Sequence, residues 1–211
     1  GNTVHYTDIE GNEQQAQGDR ILMSVGRRPV LKGFGLENIA VEVERGIKVN
    51  EVMQTSLPNV YAAGDVTGFS LLAHTASREA EVAVNHMLGI EDRMEYNAIP
   101  GVVYTNPEVS SVGFTEEQAT KEGVEYTLHK LPMTYAGRFV AENEGQMGLC
   151  KILVSPDNRV LGVHMLGNPC SEFICAACMA ITNGLTVEQL RRTVFPHPTV
   201  SEILKEGLMN V

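Results

Sequence analysis

The chain has no apolar run near the roughly 20 residues that span a bilayer. That excludes a transmembrane helix. It shows no basic-then-apolar leader, so no secretory signal is expected. Basic residues are outnumbered: 16 Lys and Arg stand against 26 Asp and Glu, a net charge of −10. Such a surface repels phosphate backbones and anionic lipid, so neither nucleic acid nor a membrane is expected as a partner. Only four cysteines occur, Cys150, Cys170, Cys175 and Cys178, too few for a disulfide scaffold in 211 residues. A reducing, cytoplasmic setting is expected. Cys175-x-x-Cys178 has no second ligand pair, so core thiols are expected there and no metal anywhere. Internal repeats and low-complexity segments are absent.

What is present has the composition of a folded chain. Apolar residues make up 43% and charged residues 20%, which excludes wholesale disorder. The length suits one large domain or two small ones. Glycine, at 20 residues, is above its usual share and marks turns or close backbone approaches.

Residues 1–30 read as strands. Thr3–Ile9 alternates ahead of a turn at Glu10-Gly11-Asn12, and Arg20–Val25 is a short apolar run. Gly26-Arg27-Arg28-Pro29 and Lys32-Gly33-Phe34-Gly35 read as loop. The Gly33-x-Gly35 pair lacks both a third glycine, with Asn38 in its place, and the strand–helix context of a dinucleotide loop. Ile47–Val49 and Val60–Ala63 read as strands, the second ending at Gly64-Asp65. Thr75–Leu88 reads as a helix with Ala76, Ala80, Ala83, Val84 and Met87 on its apolar face. Beyond a boundary at Tyr96–Pro100, strands are expected at Val102–Tyr104, Val109–Gly113, Glu125–Leu131, Gly148–Val154 and Val160–Leu166. Ser155-Pro156-Asp157-Asn158 has the chemistry of a hairpin turn. Thr115-x-x-Gln118 and Thr186-x-x-Gln189 are capping boxes, and Ser171–Asn183 is an apolar helix closed by Gly184. Strands in hairpin order with helices between them predict an α+β fold, an antiparallel sheet with flanking helices.

Three stretches carry candidate chemistry. The first is Phe195-Pro196-His197-Pro198-Thr199-Val200-Ser201-Glu202. Two prolines stiffen the backbone around His197. An ordinary imidazole titrates near pH ~6.5, which suits proton transfer. Glu202, five residues on, can accept the second ring N–H and raise the ring's basicity. The same residues also read as a capping box, Thr199-x-x-Glu202, which needs no chemistry. The second stretch is Thr55–Asp65, where a strand ending in Gly64-Asp65 puts a carboxylate at a sheet edge. The third is Leu71-Leu72-Ala73-His74, whose amides at a helix N-terminus favour an anion or a carbonyl oxygen.

Taken in order, these motifs resemble the C-terminal part of the pyridine nucleotide–disulfide oxidoreductase family, nearest its dihydrolipoamide dehydrogenase branch. Val25-Gly26-Arg27-Arg28-Pro29 resembles the end of that family's NAD domain, and Tyr61-Ala62-Ala63-Gly64-Asp65 its second flavin motif. Val103–Val109, with Val112-Gly113 and Thr115-Glu116, resembles the opening of its dimerisation domain, and His197–Glu202 its active-site signature. The resemblance implies a tail of the NAD-binding domain at 1–30, a central FAD-contacting segment at 31–98 and a dimerisation domain at 99–211. It implies that Asp65 binds the ribityl chain of FAD and that the backbone of Leu71, Leu72, Ala73 and His74 meets the flavin ring. It implies that Gly26 lies against NAD. It implies that His197, held by Glu202, is the catalytic base for a dithiol and reaches the flavin and disulfide of the other subunit of a homodimer.

The implied reaction is oxidation of protein-bound dihydrolipoamide, with electrons passing through an enzyme disulfide to FAD and then NAD. The implied partners are lipoyl-bearing acyltransferase subunits of 2-oxoacid dehydrogenase complexes or of the glycine cleavage system. Both of the family's G-x-G-x-x-G loops and its C-x4-C redox pair are missing; Cys170 and Cys175 copy only the spacing. The expectation is therefore a C-terminal fragment that does not catalyse the full reaction. A glutathione-reductase-like relative and a non-catalytic dimerisation module are the alternatives. Phe195-Pro196 before His197 and the single Glu202 after Ser201 favour the lipoamide branch.

Overall fold

Strands β1 (Asn2–Thr7) and β2 (Glu13–Gly18) open the chain as an antiparallel ribbon. Asp8 sets the turn: its Oδ1 accepts the N–H groups of Glu10 (3.0 Å) and Asn12 (2.9 Å). The bonds from the Asn12 backbone and the Gln14 amide hold the Asp8 carboxyl below its ordinary range. Gly11, at φ 89°, supplies the left-handed turn residue. Every residue of both strands is exposed. The computed structural model describes residues 1–209 and divides in sequence between Met94 and Glu95 into two units.

Arg20–Val25, expected as a strand, forms none. No described residue pairs with it, and Leu22, Met23 and Val25 are 80–90% exposed. A strand is stabilised by ladder bonds and a covered face, and this run has neither. Ile47–Val49 and Val60–Ala63 also fall short of strands. Each contributes one isolated bridge, Val43 to Ile47 and Gln54 to Tyr61. Their backbone bonds are scattered and build no ladder: Ile47 N–H to Val66 C=O (2.8 Å), Thr55 N–H to Val60 C=O (2.9 Å) and Ala62 N–H to Met53 C=O (3.1 Å). Leu36, Ile47 and Ala62 make a small core there, flanked by Leu31, Val41, Val49 and Val66.

Helix α1 (Ala73–Met87) forms where expected but turns a different face inward. It buries Thr75, Glu79, Val82 and Ala83, while Ala80, Val84 and Met87 are exposed. The buried set keeps helical spacing but includes a carboxyl. Arg78 grips Asp92 with both guanidinium nitrogens (2.8 and 2.5 Å), and Asn85 adds a third bond (2.8 Å). The Arg78 pairing holds the Asp92 carboxyl well below the usual carboxylate range.

The second unit is the expected α+β fold. Strands β3 (Gly101–Val103), β4 (Val109–Gly113), β5 (Thr127–Pro132), β6 (Leu149–Val154) and β7 (Val160–Leu166) form one antiparallel sheet in the order β3-β4-β7-β6-β5. The β6–β7 turn is the expected one: Asn158 sits at φ 61° and Ser155 Oγ accepts the Arg159 N–H (3.0 Å). Both capping boxes form reciprocally, opening α2 (Glu116–Glu122) at Thr115 and α5 (Val187–Arg192) at Thr186. The remaining helices are α3 (Gly137–Glu142), α4 (Cys170–Thr182) and α6 (Glu202–Leu208).

One core unites the sheet with these helices. Met133, Phe139, Ile152, Val163, Met165, Ile174 and Ile203 are all at most 3% exposed. Burying each such side chain stabilises the fold by about 1.5–3 kcal/mol. α6 lies very close to the sheet: a Cβ added at Gly207 would stand 2.7 Å from Ile152 Cδ1. This anchoring fixes the segment between α5 and α6, with Phe195 and Val200 packed on the core at either side of His197.

Candidate active site

His197 occupies that segment with its side chain 80% exposed. Its Nδ1 lies 3.0 Å and 3.1 Å from the two carboxyl oxygens of Glu202, the first residue of α6. Glu202 Oε2 also accepts the N–H of Thr199 at 2.9 Å. The Thr199 bond first, and His197 second, lower the pKa of the Glu202 carboxyl. Ile203 (0% exposed) and Leu204 (6%) seat the helix that carries it in the core.

The capping-box reading of this segment is half right. Glu202 supplies its acceptor, but Thr199 Oγ1 bonds the Pro196 carbonyl (2.8 Å) and the Ser201 hydroxyl (2.9 Å) instead of an α6 amide. The helix begins at Glu202, so Thr199 is not its N-cap. One carboxylate thus ties the loop and orients an imidazole whose other face is open to solvent. With Nδ1 turned to Glu202, Nε2 is the nitrogen left to exchange protons.

The other predicted residues lie in the first unit. Asp65 opens a short 3-10 turn (Asp65–Thr67) with its side chain exposed. Leu71, Ala73 and His74 are exposed and Leu72 half-buried, at the start of α1, which no side chain caps at Leu72. A side-chain hydrogen bond fixes each of these pieces locally. Ser70 Oγ donates to Thr75 Oγ1 (3.0 Å), and Thr67 Oγ1 donates to the Gly64 carbonyl (2.9 Å). Gly26 sits in an exposed loop at φ 84°, and a Cβ there would meet nothing within 4 Å.

All four cysteines lie in the second unit. All four are free; Cys150 and Cys170 are buried, and Cys175 is exposed on α4. Burial pushes the Cys150 thiol up to about 12 and the Cys178 thiol up to about 11. The described residues include no cluster of three or more His, Cys, Asp and Glu side chains able to hold a metal. No helix among them is long and apolar enough to cross a membrane. Sequence reasoning missed Glu79, a carboxyl buried completely in α1 whose Oε2 lies 2.5 Å from the Gly64 nitrogen. No local spacing signals that pairing.

Known proteins match most of the length of this chain. The family model described as pyridine nucleotide-disulphide oxidoreductase, dimerisation domain, matches residues 99–208. The model described as pyridine nucleotide-disulphide oxidoreductase matches residues 1–80. Dihydrolipoyl dehydrogenase 3 of Pseudomonas putida is 39% identical over 203 residues, 95% of this chain and 43% of that protein. The mitochondrial dihydrolipoyl dehydrogenase of Homo sapiens is 41% identical over 192 residues, 90% of this chain and 38% of that protein. Among solved structures, LpdA from Mycobacterium tuberculosis gives a TM-score of 0.86 at 27% identity, over 98% of this chain and 45% of that one. The HOCl-induced flavoprotein disulfide reductase RclA from Escherichia coli gives 0.80 at 28% identity, over 92% and 45%. The chain therefore spans less than half the length of each of these relatives. With its dimerisation-domain match alone covering over half of its residues, the chain belongs to the pyridine nucleotide-disulphide oxidoreductase family.

Proposed function

We propose that the chain is the C-terminal part of a dihydrolipoyl dehydrogenase, and that His197 is its proton-accepting base. One observation carries the reading: an exposed imidazole held by Nδ1 against both oxygens of Glu202. A dithiol attacks a disulfide only as a thiolate. His197 Nε2 takes the thiol proton, and Glu202 steadies the imidazolium that results. The substrate is protein-bound dihydrolipoamide, in keeping with the names of the relatives. A glutathione-reductase-like relative would use the same pair, but those names favour the lipoyl substrate.

FAD fits the residues of the first unit in part. Asp65 offers an exposed carboxyl to a polyol hydroxyl, and the uncapped start of α1 offers amides to a carbonyl edge. When bound, FAD would supply the acceptor for the electron pair on its way to NAD. Gly26 alone makes no cradle for NAD, because no other described part of the chain approaches within 4 Å of a Cβ built there. We assign 1–30 to the tail of the NAD-binding domain, 31–98 to the FAD-contacting segment and 99–211 to the dimerisation domain. The dimerisation-domain match supports a homodimer, with His197 serving the partner's disulfide. Lipoyl-bearing acyltransferase subunits are then the protein partners, and four free cysteines suit a reducing compartment such as the cytoplasm.

The test is His197→Gln in the full-length enzyme that carries this chain. Flavin content is expected to stay normal while dithiol oxidation falls about 100-fold or more, the usual size of a lost general base. Turnover near that of the wild type would overturn the assignment.

A further inference from the structure

Glu79 is 0% exposed, and a buried carboxyl is costly unless bonded. Its Oε2 accepts the N–H of Gly64 at 2.5 Å. Gly64 itself adopts φ 82°, ψ −157°, a region essentially reserved for glycine. A Cβ added there would stand 3.1 Å from Ala76 Cβ, so the backbone is pressed against α1 at this point. The carbonyl of Gly64 is held as well, by the N–H and the hydroxyl of Thr67 (both 2.9 Å), a side chain 4% exposed. Both peptide planes of Gly64 are thereby fixed, one by Glu79 and one by Thr67. The residue leaving those planes is Asp65.

We infer that Glu79 is a positioning residue for the flavin site, aiming Asp65 by holding the Gly64 peptide against α1. The inference rests on the reading of Asp65 as an FAD ligand. Glu79 belongs to the helix whose first turn follows Leu71 and Leu72. One carboxyl therefore sets the register between the two flavin-facing pieces, the Asp65 turn and the α1 N-terminus. A leucine of similar size would fill the space but leave the Gly64 N–H without its acceptor. A glutamine would keep an acceptor in place.

The experiment is FAD titration of the apo form of the full-length protein, read by quenching of flavin fluorescence, beside thermal melting of each apo variant. Glu79→Leu is expected to weaken FAD binding about tenfold or more, and Glu79→Gln to restore it to within about threefold of wild type. Thr67→Val, which loses the hydroxyl bond to the Gly64 carbonyl and the longer one accepted from the Phe69 N–H (3.4 Å) while keeping the backbone bond to Gly64, is expected to weaken binding about threefold to tenfold. Asp65→Ala is the control for the flavin reading. If Asp65→Ala loses FAD while Glu79→Leu and Thr67→Val bind it like wild type, the positioning role is overturned and the flavin reading stands. If Asp65→Ala binds FAD normally, the flavin reading fails and the inference fails with it. Should Glu79→Leu not fold, wild-type affinity in Thr67→Val is the overturning result.

Discussion

Glu202 performs two tasks, and removing it separates them. Glu202→Ala deletes the acceptor for the Thr199 N–H and a negative charge in the first turn of α6. A charge-assisted hydrogen bond contributes about 1.5–3 kcal/mol when well shielded, and a charge at a helix start about 0.3–1 kcal/mol. The Glu202 side chain is 21% exposed, so water replaces part of what is lost. The expected net cost is about 1–2 kcal/mol at neutral pH. His197→Ala removes an imidazole that is 80% exposed, and the expected cost is within about 0.5 kcal/mol. Both variants abolish the pair, so stability tells them apart where activity does not.

The pH dependence follows from the sign of the shift. The Glu202 carboxyl titrates below its ordinary 4.5 in the folded chain. Its stabilisation is therefore complete above that value and is lost as pH falls through the lower folded value. Urea unfolding followed by far-ultraviolet circular dichroism, from pH ~7 down to pH ~3, should show the gap between wild type and Glu202→Ala narrowing at the acid end. A gap constant across that range, or a cost of His197→Ala equal to that of Glu202→Ala, would refute the assignment of the stabilising role to the Thr199 bond.

Two further outcomes test other parts of the fold. At pH ~8 a thiol with a pKa of about 11 is only about 0.1% thiolate, so iodoacetamide should label exposed Cys175 first, Cys178 slowly, and Cys150 and Cys170 only on unfolding. Mass spectrometry of the labelled peptides reads the order; early modification of Cys150 would contradict the packing of β6. Gly162→Ala would drive a Cβ into the carbonyl oxygen of Phe114, which is backbone and cannot swing aside. Unfolding measurements should show a loss of about 2 kcal/mol or more, and an unchanged midpoint would contradict the close approach of β7 to the Phe114 backbone.

What could be read from the sequence was what depends on near neighbours. The boxes at Thr115 and Thr186 are exchanges between residues three apart, and both form. The strands β6 and β7 are short apolar runs joined by a tight turn, and the turn at Ser155–Asn158 has the residues its backbone demands. His197 and Glu202 meet because a separation of five positions bridges a stiff loop and a helix start. Expectations failed where a distant partner decides. Arg20–Val25 has a strand's composition, but a strand exists only when another lies beside it. The face that α1 buries is not its most apolar one, because Glu79 answers a backbone N–H fifteen residues away. The two carboxyls make the same point from opposite sides. Glu202 accepts an N–H three residues back in sequence and was found by its spacing to a histidine. Glu79 also accepts an N–H, yet its place on a helix suggests only a charged surface residue until the fold presses Gly64 against it. Sequence patterns report polar groups that serve their own loop; those that join two segments become visible only once the segments are packed.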